Sequence, residues 1–185
     1  MLVFKSMLVR ISTWSAVLIL TVTLFASTTE SIWLGPVGIE AQDFARCSGP
    51  GETFSSLRLE HAGDVWTLSC RPAPSDAHLA DCYWSNFQNN YTDNLDFSCR
   101  ENYVITELEK LYDQTDQDFR LNFKCCKDAD LITDSCTLTR VMFYKSIQAK
   151  LDIPADSVLA GWYSQYYDGL GRSHQYKLCK LKPRN

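Results

Sequence analysis

The chain has 185 residues, 45% of them hydrophobic, with eight cysteines and a formal net charge of −4. That length holds one domain or at most two small ones, and that apolar content excludes a disordered chain. The slightly acidic balance leaves no basic footprint, which argues against duplex nucleic acid as a partner.

Lys5 and Arg10 are the only charges in the first 29 residues. An uncharged, mostly apolar stretch runs from Ile11 to Ala26, followed by the small residues Ser27, Thr28 and Thr29. A positive start, a short apolar core and a small-residue exit mark a secretory signal peptide. The core is short for a bilayer span, which needs about 20 apolar residues. Residues 1–29 are expected to be removed on export, which leaves no membrane span. Lys5 and Arg10 go with them and no acid does, so the formal charge becomes −6. All eight cysteines lie between Cys47 and Cys179, in the exported part. An oxidising destination makes disulfides their expected state.

Residues 30–46 read as a short leader, with Gly35, Pro36 and Gly38, expected to be loosely attached. Beyond it, short alternating runs rich in Val, Ile, Tyr, Phe and Trp are bounded by Gly, Asp and Asn, which is a strand pattern. Three units share one design: an apolar strand, a polar turn, and a second strand ending in cysteine. They are Thr53–His61 with Trp66–Cys70, Val104–Asp113 with Leu121–Cys126, and Val158–Tyr166 with His174–Cys179. Cys47, Cys99 and Cys136 precede them. Each unit reads as a two-stranded ribbon tied back to its own start. One such ribbon is marginal alone; three around a shared axis, trefoil-like or prism-like, are not. Residues 131–151 have room for a helical turn or two, which their pattern does not decide. The sequon Asn90-Tyr91-Thr92 sits in the polar run 86–94, which reads as an exposed loop carrying a glycan at Asn90.

Reactive chemistry is thin. No Cys-x2-Cys pair signals zinc, and Cys125-Cys126 is too tight. His61, His78 and His174 lack metal-binding spacing, and no Gly-x-Ser-x-Gly elbow is present. Asp113, Asp116 and Asp118 are dense enough for calcium but lack the EF-hand spacing, so a solvated turn is the plainer reading. No enzyme, cofactor or metal site is expected. In the aromatic pairs Tyr83-Trp84, Trp162-Tyr163 and Tyr166-Tyr167, alternation places one ring in the core and one outside.

With these residues in view, the chain resembles the dermatopontin family, which includes invertebrate haemagglutinin and amebocyte-aggregation factors. The family start is echoed by Cys47-Ser-Gly-Pro-Gly51, its Val-Ile-x-Gly strand by Val104–Glu107 and Val158–Gly161, and its turn by Ser164–Asp168. Asp81-Cys-Tyr-Trp84, Phe97-Ser-Cys99 and Cys125-Cys126 match further signatures, so the likeness covers residues 47 to 180, with 181–185 a short tail. The family's Asp-Arg-x-Trp element is nowhere whole. The first repeat keeps Trp66, the second Asp118 and the third Arg172. If the element binds ligand in the family, Trp66, Asp118 and Arg172, with Tyr166 in the third turn, are the candidate ligand-binding residues. If it is a structural Arg–Asp corner, the chain has replaced it with other packing.

The resemblance implies an all-β, compact, disulfide-rich single domain of three pseudo-repeated antiparallel β ribbons. It implies the bridges Cys47–Cys70, Cys82–Cys125, Cys99–Cys126 and Cys136–Cys179, with no free thiol. It also implies a secreted, non-enzymatic matrix or adhesion protein that binds collagenous, proteoglycan or shell-matrix components and cells, or else a lectin-like agglutinin in humoral defence. The run from Lys177 to Arg184 is a conditional basic patch.

Overall fold

The structure, a computed structural model, describes residues 30–32, 40–47, 49, 51–60, 65–143 and 149–184. The expected signal peptide, residues 1–29, and His61 lie outside these residues. Three consecutive units make up the chain. The first holds β1 (Glu30–Ile32), β2 (Glu40–Arg46), β3 (Glu52–Glu60) and β4 (Val65–Pro72). The second holds β5 (Asp81–Phe87), β6 (Leu95–Ser98), β7 (Val104–Asp113) and β8 (Asp118–Lys127). The third holds β9 (Leu131–Leu138), the two-residue β10 (Met142–Phe143), β11 (Ala149–Asp152), β12 (Ser157–Tyr167) and β13 (Gly171–Pro183). Among the described residues the only helical element is a 3-10 turn at Pro74–Asp76.

The last two strands of each unit form a long antiparallel hairpin, and these hairpins are the three repeats. Each hairpin centres one sheet. The first strand of each unit stays home, pairing with its own hairpin: β1 with β4, β5 with β8, β9 with β13. The strand before each hairpin leaves. β2 pairs with β7 of the second unit, β6 with β12 of the third, and β11 with β3 of the first. The exchange closes into a ring. The inner strands β3, β7 and β12 touch one another, so the hairpins share one axis.

Register makes the repeats superimposable in sequence. Each inner strand carries a bulge at the same step, at Ser55, Thr106 and Ala160. Just before it, Phe54 faces Cys70, Ile105 faces Cys125 and Leu159 faces Leu178. Two places on, Leu57–Leu68, Leu108–Phe123 and Trp162–Tyr176 are equivalent pairs. Strand alternation turns these side chains to the axis, and all belong to one buried cluster. Its centre is aromatic: Trp66 stacks on Trp162 at 5.3 Å between centroids, and Phe97 on Phe123 at 4.4 Å. Such pairs add about 0.5–1.5 kcal/mol each beyond the area they bury.

Two expectations change. The leader was read as loose, yet residues 40–46 run in register with Glu107–Asp113 of β7, burying Ala45. Seven residues with Phe44 as their one strong strand former give little local signal; the open edge of β7 supplies the pairing. The undecided stretch 131–151 holds strands and no helix among its described residues, because β9 and β10 complete the free edge of β13.

All eight cysteines are bridged. Cys47–Cys70 and Cys136–Cys179 pair as the resemblance implied. The adjacent pair does not: the bridges are Cys82–Cys126 and Cys99–Cys125. Register is the reason. Cys82 on β5 lies directly opposite Cys126 on β8. Alternation turns Cys125 the other way, into the main core, where Cys99 packs at the end of β6. One bridge per face was the correct geometry, with the partners exchanged. The result is two bridge classes. Cys47–Cys70 and Cys99–Cys125 span 23 and 26 residues with Cα atoms 5.6 and 5.9 Å apart. Cys82–Cys126 and Cys136–Cys179 span 44 and 43 residues with Cα atoms 4.1 and 4.0 Å apart.

Candidate functional site

The three surviving residues of the Asp-Arg-x-Trp element come from three different repeats, and the fold brings them together. Asp118 opens β8 and Arg172 is the second residue of β13. The Arg172 guanidinium donates from Nε to Asp118 Oδ1 and from Nη2 to Oδ2, both at 2.6 Å, and from Nη1 to Ser164 Oγ at 3.0 Å. Asp118 Oδ2 also accepts the Thr92 amide at 2.6 Å. The guanidinium lies over Phe119, whose ring meets Trp66 edge-on at 5.0 Å. Trp66, Asp118 and Arg172 are 0%, 2% and 2% exposed. That burial fits the structural-corner alternative, with one difference: the Arg–Asp pair is kept, assembled from two repeats, and is not replaced by other packing. Of the four candidates only Tyr166 reaches the surface, half-buried against Arg172.

His174, two residues along β13, extends the corner inward. Trp162 Nε1 donates to its Nδ1 at 3.1 Å, so the imidazole proton sits on Nε2. Burial, helped by the nearby Arg172 cation, lowers the His174 pKa to about 3. Lys110 is the member that the sequence reading missed. It is buried, with Nζ 5.2 Å from the Trp66 ring centre and 4.0 Å from Asp43. Burial raises the Asp43 pKa against the pull of Lys110. Lys110 lies two residues beyond Leu108, so strand alternation was the signal that places it on the core face.

The sequon loop is pinned to the same corner. Buried Asn89 donates to the Phe119 carbonyl at 2.8 Å and accepts from the Leu121 amide at 3.0 Å, imitating a strand partner for β8. Asn90 and Thr92 are thereby held outward and exposed. The acidic triplet separates: Asp113 accepts the Thr115 amide in the turn, Asp116 is exposed, and Asp118 turns inward. His78 is exposed. Among the described residues no group of three His, Cys, Asp or Glu side chains could hold a metal ion. On β13, Lys180 and Lys182 share the exposed face but pair with Asp156 at 2.8 Å and Asp134 at 3.2 Å, which neutralises two of the cations of the C-terminal run.

Two surface clefts are formed by described residues. One of about 500 Å³ lies between Asp81, Lys127, Asp130 and Arg184. The other, about 310 Å³, runs along β6, β12 and β13 beside Tyr163 and Gln165. No described helix is long and apolar enough to cross a membrane.

Comparison with known proteins agrees with this architecture. The chain is 25% identical over 170 residues to a haemagglutinin/amebocyte aggregation factor of Limulus polyphemus, covering 90% of this chain and 95% of that one. It is 25% identical over 116 residues to a dermatopontin of Biomphalaria glabrata, covering 62% and 76%. It is 27% identical over 120 residues to Millepora cytotoxin-1 of Millepora dichotoma, covering 63% and 53%. No solved structure matches. The dermatopontin family model matches residues 41–183, a span that starts inside β2 and ends with β13, and the chain belongs to the dermatopontin family.

Proposed function

We propose that this protein is a secreted, non-enzymatic adhesion protein of the extracellular matrix, binding matrix components and cells. The observation that carries the reading is the family match across the whole threefold scaffold, residues 41–183. The disulfides support an oxidising destination, as does the apolar segment after Lys5 and Arg10. Asn90, exposed in its pinned loop, is the proposed glycan site. A lectin-like, cell-aggregating role is the second reading. It is favoured by the Limulus relative, a haemagglutinin/amebocyte aggregation factor matched over 95% of its length. Both readings place recognition in surface loops and grooves on a rigid frame.

The test uses the secreted, disulfide-intact protein on an array of collagens, proteoglycans and glycans, with erythrocyte agglutination in parallel. Saturable binding to a matrix component without agglutination supports the matrix reading. Agglutination blocked by a simple sugar supports the lectin reading. A folded protein that binds nothing on the array and agglutinates no cells contradicts both.

A further inference from the structure

The groove along β6, β12 and β13 has polar groups that the fold has fixed but not satisfied. Each amide is anchored at one end. Gln175 Nε2 donates to the Thr139 carbonyl at 2.8 Å, leaving Oε1 without a partner among the described residues. Gln165 Oε1 accepts from Tyr167 Oη at 2.6 Å, leaving Nε2. Asn94 Oδ1 accepts the Tyr166 amide at 3.0 Å, leaving Nδ2. The Asp96 carboxylate lines the same wall. Tyr163 is held by a 2.6 Å hydrogen bond between its hydroxyl and Ser98 Oγ. The groove therefore presents two donors and two acceptors beside an immobilised aromatic ring. Anchored side chains lose little further freedom on binding, and about 310 Å³ is at the small end of ligand sites, which run from about 300 to 1,000 Å³.

Comparison around the threefold axis shows that this is not a generic property of the scaffold. The register position of Tyr163 and Gln175 is held in the second hairpin by Glu109 and Asn122. There Asn122 Nδ2 donates to Glu109 Oε2 at 2.8 Å and Gln42 donates to Oε1, so the polar ends consume one another. In the first hairpin the position holds Arg58 and Thr67, with Lys150 alongside on β11. Among the described residues at these three equivalent positions, the third sheet leaves anchored, uncharged hydrogen-bonding ends in place. Among the described residues no basic side chain lines this groove, and His174 at its floor is neutral. Asp96 repels an anion.

Resting on the adhesion reading above, we propose that this groove binds an uncharged sugar residue. Asn94, Asp96, Gln165 and Gln175 hydrogen-bond its hydroxyls, and Tyr163 packs along its ring. Sulfated or sialylated saccharides are repelled by the Asp96 carboxylate.

The test is amide chemical-shift mapping of the isotope-labelled full secreted chain. It is titrated at millimolar concentration with galactose, mannose and N-acetylglucosamine, and with sialyllactose and a heparin disaccharide as acidic controls. Saturable shifts with a neutral sugar, confined to residues 94–96, 163–165 and 173–175, are expected. Asp96→Ala and Gln165→Ala should each weaken that binding at least fivefold with an unchanged unfolding midpoint. Shifts elsewhere, binding indifferent to both variants, binding of the acidic saccharides alone, or no binding of any neutral sugar overturns the proposal. Adhesion that survives both variants and resists neutral sugars refutes the groove while leaving the adhesion reading intact. A folded wild type with no adhesion at all refutes that reading instead.

Discussion

Asp118 and Arg172 form a buried, bidentate ion pair in which three guanidinium nitrogens are used. Such a pair is costly to break from one side. Removing a single partner leaves an uncompensated charge and costs about 3–5 kcal/mol, whereas replacing both with apolar residues is often neutral. His174 beside it gives the corner a pH dependence. Folded, it stays neutral down to about pH 3; unfolded, it titrates near 6.5. Below pH 6.5 the unfolded chain takes up a proton that the folded chain refuses, so stability falls as pH drops through that window. At about 1.4 kcal/mol per pH unit, His174 alone removes about 2 kcal/mol by pH 5. Urea unfolding of wild type and His174→Gln at pH 7 and pH 5 checks this. The variant should lose about 2 kcal/mol less than the wild type on acidification, and parallel losses would refute the assignment.

Among the elements, the hairpins were legible because alternation and terminal cysteines recur three times. The donated strands were not. β2, β6 and β11 are seven, four and four residues long, and their place is set by edges offered from another unit, which no local pattern encodes. The swapped cysteine partners have the same cause, since Cys82 meets Cys126 only once β5 has docked on β8. The candidate site was half legible. The sequence identified Trp66, Asp118 and Arg172 as remnants of one element but could not show that remnants from three repeats assemble one corner. The register also explains why the first and third repeats lack one each of the two bridge classes present in the second. Ile153 follows β11 as Cys47 follows β2 and Cys99 follows β6, and Leu178 takes the place of Cys70 and Cys125. Ile153 and Leu178 are both buried in the main core. In the first unit Arg71 stands where Cys126 and Cys179 stand in the others, and donates to the Ile153 and Ser157 carbonyls at 2.9 Å. The double variant Ile153→Cys with Leu178→Cys should therefore oxidise to a fifth bridge and gain about 2–3 kcal/mol. Intact mass with thiol titration reads this directly, and two free thiols in the oxidised, folded variant would break the equivalence of the repeats.

The whole molecule is held together by the ring of exchanged strands. Each hairpin borrows its inner neighbour from another unit, so an isolated unit keeps only its home strands on the hairpin and loses both the borrowed edge and the core shared at the axis. Folding is expected to be all-or-none and slow for a domain this size, because its pairings are long-range. Such a frame presents its turns and grooves rigidly, which is what an adhesion protein requires of a scaffold. If the family element serves here as scaffold, recognition lies elsewhere on the surface. The measurement that tests it most directly is cell and matrix adhesion by the Asp118→Leu, Arg172→Met double variant, after confirming four intact disulfides and a cooperative unfolding transition. Adhesion within about twofold of wild type, a difference of about 0.4 kcal/mol, is the predicted result. A folded double variant that no longer adheres would contradict the account.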